Sequence, residues 1–277
     1  MTAEVVRVSP AWLGRREFAD AAARAVPLVS VVQRQLASRS HPVIVDLGCG
    51  TGSMGRWLAA QLVGPQHWVL IDRDPDLLAR AAASLVERSA DGAPVTVEIR
   101  ECDVATLTAG DLAGAGLITA SALLDLLTRD EVDRIAAACA EAATPALLTL
   151  SVIGRVRLRP AEPLDARITA AFNDHQRRTT GGRTLLGPDA VEATVAAFAG
   201  HGLTMLVQPS PWRLRSSDGA ERALIAEWLE GWLEAAVEQC PELAGPVLAY
   251  AARRAADIAE GRLVVEVGHQ DLLAGCP

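Results

Sequence analysis

Apolar residues recur along the chain with two different spacings, which predict short strands separated by helices. The β-branched run 43–45 is typical of a buried strand, and apolar runs at 67–72 and 95–103 follow it. Four more strands are predicted at 117–121, 146–153, 203–207 and 262–268. Helices are predicted at 10–39 with a break at Pro27, and at 53–62, 74–87, 128–142 and 188–200. This alternation indicates the α/β class and predicts a doubly wound, mostly parallel sheet of seven strands.

Two long segments interrupt the alternation and are predicted to cover one edge of the sheet. They span 154–187 and 209–261, and each leaves from the carboxyl end of a predicted strand. Open α/β sheets bind ligands at that edge, so we expect both insertions to form a helical substrate cap. The helical segment 1–39 precedes the first strand and is expected to cover the same site, which leaves 40–277 as the main domain.

A glycine-rich turn follows the first strand and leads into a helix. The sequence VIVDLGCGTG ends the strand at Asp46 and places glycines at 48, 50 and 52 before the helix 53–62. Glycine permits left-handed backbone conformations and lets backbone N–H groups approach a ligand without a Cβ in the way. The turn is therefore a candidate ligand-binding loop.

A dinucleotide site is one interpretation of this turn. Gly50 to Gly55 fits the G-x-G-x-x-G pattern, and Asp72 follows about 20 residues later. However, the Asp46 carboxylate would face the pyrophosphate that such a turn holds, whereas it suits a ligand carrying an ammonium and a sulfonium. Charge therefore favours a positively charged nucleoside.

The segment VIVDLGCGTG resembles the first motif of the class I S-adenosylmethionine-dependent methyltransferases. The resemblance covers 40–153 well, and 188–208 and 262–268 by topology only. It implies a Rossmann-like fold with S-adenosyl-L-methionine as cofactor. In the family the acid at the end of the second strand, here Asp72, accepts both ribose hydroxyls, which suits an acceptor-only carboxylate.

The resemblance also implies the rest of the cofactor site. Asp103 would accept from the adenine amino group and the Val104 N–H would lie near the ring, while Ser121 would lie near the methionine end. One arginine of the N-terminal segment could pair with the methionine carboxylate, and we take Arg16, whose alternative is a solvated helix face. The expected cofactor-binding residues are Arg16, Asp46, Gly48, Cys49, Gly50, Gly52, Asp72, Arg73, Asp103, Val104 and Ser121.

The amino-acid composition of the chain restricts the classes of molecule that it is expected to bind. The 277 residues are half apolar and carry a net charge of −8, which argues against a nucleic-acid partner. The five cysteines, at 49, 102, 139, 240 and 276, include no C-x-x-C pair and indicate reduced thiols in a cytoplasmic protein without a metal site. No apolar run reaches the ~18 residues of a membrane span. The sequence predicts no particular oligomeric state.

Candidate residues for chemistry on the acceptor come mainly from the insertions. Methyl transfer needs a base only if the nucleophile carries a proton to lose, and His175 is the candidate, with a surface loop histidine as the alternative. The remaining histidines, His41, His67, His201 and His269, are expected away from the cofactor edge. Asp125 is expected to orient a substrate hydroxyl or to cap a turn.

Arginines are concentrated in the first insertion. Residues 155–183 contain seven arginines and three acids, which fits either an anionic substrate held by Arg178 or a solvated helix face. Trp212 is predicted to form a pocket wall or to pack in the core. Strand four lacks the Asn/Asp-Pro-Pro-Tyr/Phe tetrapeptide with which resembling enzymes methylate exocyclic or amide nitrogens.

These features predict a methyltransferase that acts on a small-molecule acceptor, anionic or uncharged, with an O, N or C nucleophile. One alternative is an RNA methyltransferase that uses the arginines of 155–183 as its backbone contact. Another is a methyltransferase-like protein that binds the cofactor and transfers nothing.

Overall fold

The computed structural model describes residues 8–275, whose strands form a large twisted sheet with helices on both faces. Residues 1–7 of the predicted N-terminal segment, and Cys276, lie outside this range. The strands are β1 Val43–Leu47, β2 Gln66–Asp72, β3 Val95–Glu101, β4 Leu117–Ser121, β5 Ala146–Arg159, β6 Thr179–Thr180, β7 Arg183–Thr184, β8 Thr204–Pro209, β9 Trp212–Arg215 and β10 Val264–Gly275. The helices are α1 Pro10–Ala23, α2 Val26–Leu36, α3 Ser53–Ala59, α4 Pro75–Ser84, α5 Arg129–Glu141, α6 Asp165–Gln176, α7 Ala190–Gly200, α8 Gly219–Gln239 and α9 Ala244–Ala259. None of these helices in the described part of the chain is long and apolar enough to span a membrane.

The sheet confirms the predicted doubly wound topology. Its strand order is β3-β2-β1-β4-β5-β10-β8, and β1 to β5 pair in parallel. The last strand, β10, runs antiparallel between β5 and β8, as expected for the final strand. An eighth strand, β9, pairs with the first half of β10. The predicted insertion 209–261 therefore contributes to the sheet before its helices begin.

Two strands are longer than the sequence predicts. We expected the fifth strand to end at Ile153, but it passes through Gly154, which has φ +66°, and continues to Arg159. The last strand was predicted to end at Gly268, but β10 continues to Gly275 beyond two irregularities in its pairing with β5. Glycine inside a strand often marks a bulge rather than an end, and this is the case at both positions.

Helix ends follow local capping chemistry. Asp74 accepts hydrogen bonds from the first turn of α4, and Thr128 forms the predicted capping box with Glu131 at the start of α5. The N-terminal helical segment breaks at Arg24 and Ala25 rather than at Pro27, because proline fits the first turn of α2. Arg24 lies at this break, so its backbone is not helical.

Three apolar cores hold these elements together. One lies between the sheet and the α5 and α7 side, and the second lies on the opposite side against α2, α3 and α4. The third joins the outer halves of β5 and β10, with β9, to α6, α8 and α9, and includes Trp212, Trp232 and Tyr250. The inserted helices are therefore fixed to an extension of the sheet by their own buried core.

Candidate active site

A cavity of about 930 Å³ opens at the carboxyl ends of β1 to β4. Residues of α1, α6 and α8 complete its wall, so the N-terminal segment and both insertions border it. Ligand pockets span about 300–1,000 Å³, and this cavity lies near the upper end of that range. Its size suits a cofactor together with a small second molecule.

The glycine turn forms the floor below β1. Gly48, Gly50 and Gly52 have φ values of +58°, +54° and +85°. A Cβ on Gly52 would lie 3.0 Å from the Ala81 Cβ, so a side chain would meet both steric and backbone strain there. The Cys49 N–H donates to the Ile71 carbonyl at 2.9 Å, which extends the β1–β2 pairing past the strand ends. The turn is therefore held in a conformation that glycine alone adopts readily.

Asp46 lies at the tip of β1 with 1% of its surface exposed, and it lines the cavity. Its Oδ1 accepts a hydrogen bond from the Thr119 hydroxyl at 2.6 Å, whereas Oδ2 has no hydrogen-bond partner in the protein. Burial raises the pKa of Asp46 to about 7, although the Thr119 bond and the charge of Arg24 lower it. A cationic group of a ligand would satisfy Oδ2 and favour the ionised carboxylate.

Arg24 is a second buried charge beside the same floor, with 2% of its surface exposed. Its Nη2 donates to the hydroxyls of Ser53 and Ser121 at 3.0 and 3.1 Å, and both serines line the cavity. Nε and Nη1 have no hydrogen-bond partner in the protein, and burial lowers the pKa of the group. Because Arg24 occupies a lone pair on each serine, both hydroxyl hydrogens are available to an anion.

These two buried groups test whether the site fits the expected cofactor. An ammonium suits the unpartnered oxygen of Asp46, and a carboxylate suits Ser53 and Ser121 backed by Arg24. The methionine part of S-adenosylmethionine carries both groups, so the donor set fits it. Arg16 was our candidate for the carboxylate; it lines the cavity, but its guanidinium makes hydrogen bonds of 3.0–3.2 Å to Asp20.

The acids predicted for the nucleoside lie on the same cavity. Asp72 accepts from the Gly50 N–H at 2.9 Å and from the Asp74 N–H at 3.0 Å, which fixes its carboxylate while lone pairs remain. Asp103 accepts from the Ala105 N–H at 2.9 Å. Cavity-lining positions are also occupied by the predicted residues Arg16, Asp46, Gly48, Cys49, Gly50, Arg73, Val104 and Ser121. Their roles toward the cofactor stay predictions. Gly52 belongs to the same turn, where its N–H donates to the Cys49 carbonyl at 2.8 Å, but it does not line the cavity.

An aromatic wall faces the strand tips across the cavity. It includes Trp12, Phe172, Trp212 and Trp228. The Trp212 indole donates to Asp20 at 3.0 Å, and the Arg16 guanidinium lies 5.0 Å from the centre of the same ring. This wall offers aromatic surfaces, and its Arg16 and Asp20 are paired with each other, which suits a small organic molecule better than a hydrated ion.

His269 lies on the same side, contrary to our expectation. Because β10 continues past Gly268, His269 pairs with Val152 inside the sheet and lines the cavity. Its ring centre lies 5.4 Å from that of Trp212, and 4% of its surface is exposed. Burial, together with the charge of Arg16, lowers the pKa of His269 to about 3, while the Val267 carbonyl opposes this shift. The imidazole is therefore uncharged at neutral pH.

The other predicted chemistry residues divide between the cavity and a neighbouring pocket. Asp125 is half-buried and lines both, and burial raises its pKa to about 6. His175 and Arg178 line the second pocket, of about 200 Å³, rather than the large cavity. The His175 Nε2 lies 3.1 Å from Glu238, and Arg178 donates to the His175 carbonyl at 3.1 Å. The structure therefore does not bring His175 to the cofactor cavity.

The arginines of 155–183 are mostly committed to neighbouring groups. Arg183 is the member of this set that lines the large cavity, and it binds Glu131 at 2.6 Å. Arg177 binds Asp189 at 2.7 Å. The described cavity wall contains seven acidic side chains and three arginines, so it is acidic. An anionic acceptor receives little support from this charge distribution.

Sequence reasoning missed Arg24, His269 and Leu150 as cavity-associated residues. A signal existed for Arg24, which is a lone charge in the apolar run 21–32. Leu150 lines the cavity with φ +57°, and nothing in its local sequence indicates that conformation. Strain of this kind collects at functional sites. Residues 8–275 contain no cluster of three or more histidine, cysteine or acidic side chains arranged for a metal ion.

Comparison with known proteins identifies the central part of the chain. Residues 44–146 match the protein family described as methyltransferase domain. The biotin biosynthesis bifunctional protein BioCD of Bordetella avium is 48% identical over 50 residues, which is 18% of this chain. The match spans 10% of that curated relative.

Two solved structures are similar at low sequence identity. The cyclopropane synthase MmaA2 of Mycobacterium tuberculosis is 16% identical with a TM-score of 0.47, covering 90% of this chain and 83% of that one. Magnesium protoporphyrin IX methyltransferase (ChlM) of Synechocystis PCC 6803, with bound S-adenosylhomocysteine, is 14% identical with a TM-score of 0.43, covering 74% and 83%. The glycine turn and the strand order of the described residues agree with the family match, so residues 44–146 form a methyltransferase domain.

Proposed function

We propose that this protein transfers a methyl group from S-adenosylmethionine to a small-molecule acceptor bound beneath α1, α6 and α8. The observation that carries the proposal is the continuous cavity of about 930 Å³, which joins the acidic strand tips to the aromatic wall. One half has charges for a zwitterionic nucleoside, and the other half has aromatic side chains around the Arg16–Asp20 ion pair. Two ligands of different chemistry therefore have room to meet.

The residues have separate tasks in this proposal. S-adenosylmethionine, when bound, supplies an electrophilic methyl group on a sulfonium, a good leaving group. Asp46 holds its ammonium, and Ser53 and Ser121, backed by Arg24, hold its carboxylate. Asp72 and Asp103 hold the ribose and adenine. The protein then needs mainly to align the nucleophile and exclude water, which the aromatic wall supports.

Asp125 is the residue that we assign to the acceptor's proton. It lines the cavity, and burial raises its pKa to about 6, so it is ionised at neutral pH and a better base than an exposed aspartate. An acceptor hydroxyl or amine would pass its proton to this carboxylate. His175 is not required for that task, because it lines the neighbouring pocket.

The decisive experiment is calorimetric titration of the protein with S-adenosylmethionine, comparing wild type with Asp72→Ala. Charged hydrogen bonds of about 1.5–3 kcal/mol are lost, so affinity should fall by roughly ten- to a hundredfold. Because Asp72 also accepts from the Gly50 N–H, thermal melting without cofactor must show that the variant is folded. Absence of binding to the wild type, or unchanged affinity in Asp72→Ala, would contradict the assignment.

A further inference from the structure

His269 occupies a position that the cofactor does not account for. It lies in the middle of β10, while Asp46 and Asp72 lie near the ends of β1 and β2 and Asp103 follows β3. Its neighbours on the wall are Trp212, at 5.4 Å between ring centres, and its strand neighbour Val267. The histidine therefore belongs to the aromatic half of the cavity, where an acceptor would bind.

The imidazole has unused hydrogen-bonding capacity. The buried Nδ1 is directed at the Val267 carbonyl, whereas Nε2 has no hydrogen-bond partner among the described residues and is not one of the fully buried atoms. Buried polar side-chain atoms in folded proteins are nearly always paired, and an unpaired one is costly. A ring nitrogen in this state at a cavity wall points to a ligand as its partner.

The groups that face the ring keep it uncharged. Arg16 lies close enough to disfavour a second positive charge, and burial acts in the same direction. Asp20 does not offset this effect fully, because it is bound to Arg16 and to the Trp212 indole. A neutral imidazole has one donor and one acceptor nitrogen, and with the Nδ1–H directed at the Val267 carbonyl, Nε2 accepts a hydrogen bond from a hydroxyl or an amine.

The rest of the wall restricts the chemical class of the acceptor. Trp212, Phe172 and Trp228 offer flat apolar surfaces. Arg16, beside Trp212, is bound by Asp20, and Arg183, near Asp103 on the nucleoside side of the cavity, is bound by Glu131. Asp125 adds a carboxylate that would repel an anion, so a carboxylate or phosphate would lose its hydration without gaining a partner.

We propose that His269 recognises the methyl acceptor through one hydrogen bond that its Nε2 accepts from a hydroxyl or amino group of a flat, apolar molecule that carries no negative charge. This inference rests on the proposed function and narrows its substrate class. It makes His269 an acceptor-binding residue rather than a base, because the proton goes to Asp125.

The test is equilibrium dialysis of three naphthalene probes in the presence of saturating S-adenosylhomocysteine. The probes are 2-naphthol, 2-fluoronaphthalene and 2-naphthoate, which share a ring system and differ in one substituent. Wild type should bind 2-naphthol about fivefold more tightly than 2-fluoronaphthalene, the effect of one hydrogen bond, and should bind 2-naphthoate most weakly.

Two variants distinguish loss of the hydrogen bond to the probe from loss of packing beside Trp212. His269→Phe keeps a ring beside Trp212 and should reduce 2-naphthol binding about fivefold while leaving 2-fluoronaphthalene within about twofold. His269→Gln places an amide near the Nε2 position and should restore part of the 2-naphthol preference that is lost in His269→Phe. S-adenosylhomocysteine affinity should be unchanged in both, because neither substitution touches the strand tips.

Several outcomes would overturn the inference. They are equal or tighter binding of 2-naphthoate, equal losses for all probes in His269→Phe, unchanged 2-naphthol binding in that variant, or no binding of any probe. Failure of the wild type to bind S-adenosylhomocysteine would instead defeat the proposed function. If the wild type binds S-adenosylhomocysteine and one of these probe results is found, only this inference is contradicted and the proposed function stands.

Discussion

At the scale of single residues, the buried carboxylate of Asp46 lowers the stability of the cofactor-free fold when it is ionised, and the same carboxylate is proposed to bind the ammonium of the cofactor. Its pKa rises from an ordinary 3.8 to about 7 because the carboxylate is buried. A group whose pKa is higher in the folded state contributes stability below its unfolded pKa, and that contribution is lost as pH rises through the folded pKa. Between about pH 4 and 7 the cofactor-free protein should therefore lose stability through Asp46.

The substitution Asp46→Asn tests this linkage. The asparagine oxygen can still accept from Thr119, and the buried charge is gone, so the variant should melt at a higher temperature than wild type at pH 8. With about 1.4 kcal/mol per pKa unit, the difference is at most roughly 4 kcal/mol. Near pH 4 the two proteins should melt alike in differential scanning calorimetry.

The same variant should lose cofactor affinity, because the ammonium no longer meets a carboxylate. Melting in the presence of S-adenosylmethionine should show a smaller stabilisation of Asp46→Asn than of wild type at pH 8. Equal stabilisation by the cofactor would remove Asp46 from the ammonium site. A lower melting temperature of the cofactor-free variant at pH 8 would contradict the burial argument.

Residue-level prediction from sequence succeeded where a short motif determines position. The glycine turn places Asp46, Gly48 and Gly50 on the cavity wall. It missed Arg24, whereas the role of Arg16 on the same N-terminal segment stays a prediction, since Arg16 lines the cavity but is bound to Asp20. The break after α1 sends Arg24 under the floor, while Arg16 is taken by Asp20 four residues later on the same helix. Which of the two arginines lies beside the serines of the cavity depends on where α1 ends, and helix propensity does not define that position sharply.

At the scale of secondary-structure elements, the continuation of β10 past Gly268 determines much of the site. It brings Asp271 into the sheet, where one oxygen accepts from the Ala25 N–H at 2.7 Å and the other accepts from the Leu150 N–H at 2.8 Å. The carboxylate thus fastens the break between α1 and α2 to the irregular part of β5. Both partners belong to segments that border the cavity.

The substitution Asp271→Asn should destabilise the fold. An asparagine offers one acceptor oxygen in place of two, so one buried N–H is left without a partner, at a cost of about 1–3 kcal/mol. For a chain of this size the melting temperature should fall by roughly 2–10 °C. Thermal unfolding followed by circular dichroism measures the change.

A matched control is Asp133→Asn on the exposed face of α5, where the carboxylate contacts His201 at 3.0 Å. Exposed pairs of this kind contribute about 0–1 kcal/mol, so this variant should melt close to wild type. Equal melting temperatures for wild type, Asp271→Asn and Asp133→Asn would show that Asp271 does not fasten these elements.

Elements were predicted well where periodicity and caps agree. Strand β4 and the start of α5 at Thr128 were placed as the structure has them. The ends of β5 and β10 were not, because Gly154 and Gly268 resemble strand ends in sequence while long-range pairing carries both strands onward. A pattern of neighbouring residues does not reveal strand pairing between positions more than a hundred residues apart. The sequence therefore placed His269 at the wrong edge of the sheet.

At the scale of the whole molecule, charge and topology together bear on the choice of partner. The seven arginines of 155–183 suggested an RNA backbone contact as one alternative. In the structure Arg177, Arg178 and Arg183 bind neighbouring protein groups. The chain as a whole carries a net charge of −8. Both the local and the global field thus oppose a polyanion.

We therefore expect no salt-dependent binding to RNA. Fluorescence anisotropy of a labelled single-stranded RNA should show little binding at about 50 mM salt, whereas a protein contacting 6–10 phosphates would lose about 10³–10⁵ in affinity between 50 and 200 mM. Charge reversal of Arg155, Arg157 and Arg159, which project from the exposed side of β5, is the control because it would abolish any binding through this segment. A steep salt slope in wild type that disappears in the reversed variant, together with methyl transfer to the RNA, would replace the small-molecule acceptor with a nucleic acid. An RNA affinity that does not change with salt would agree with arginines that bind neighbouring protein groups.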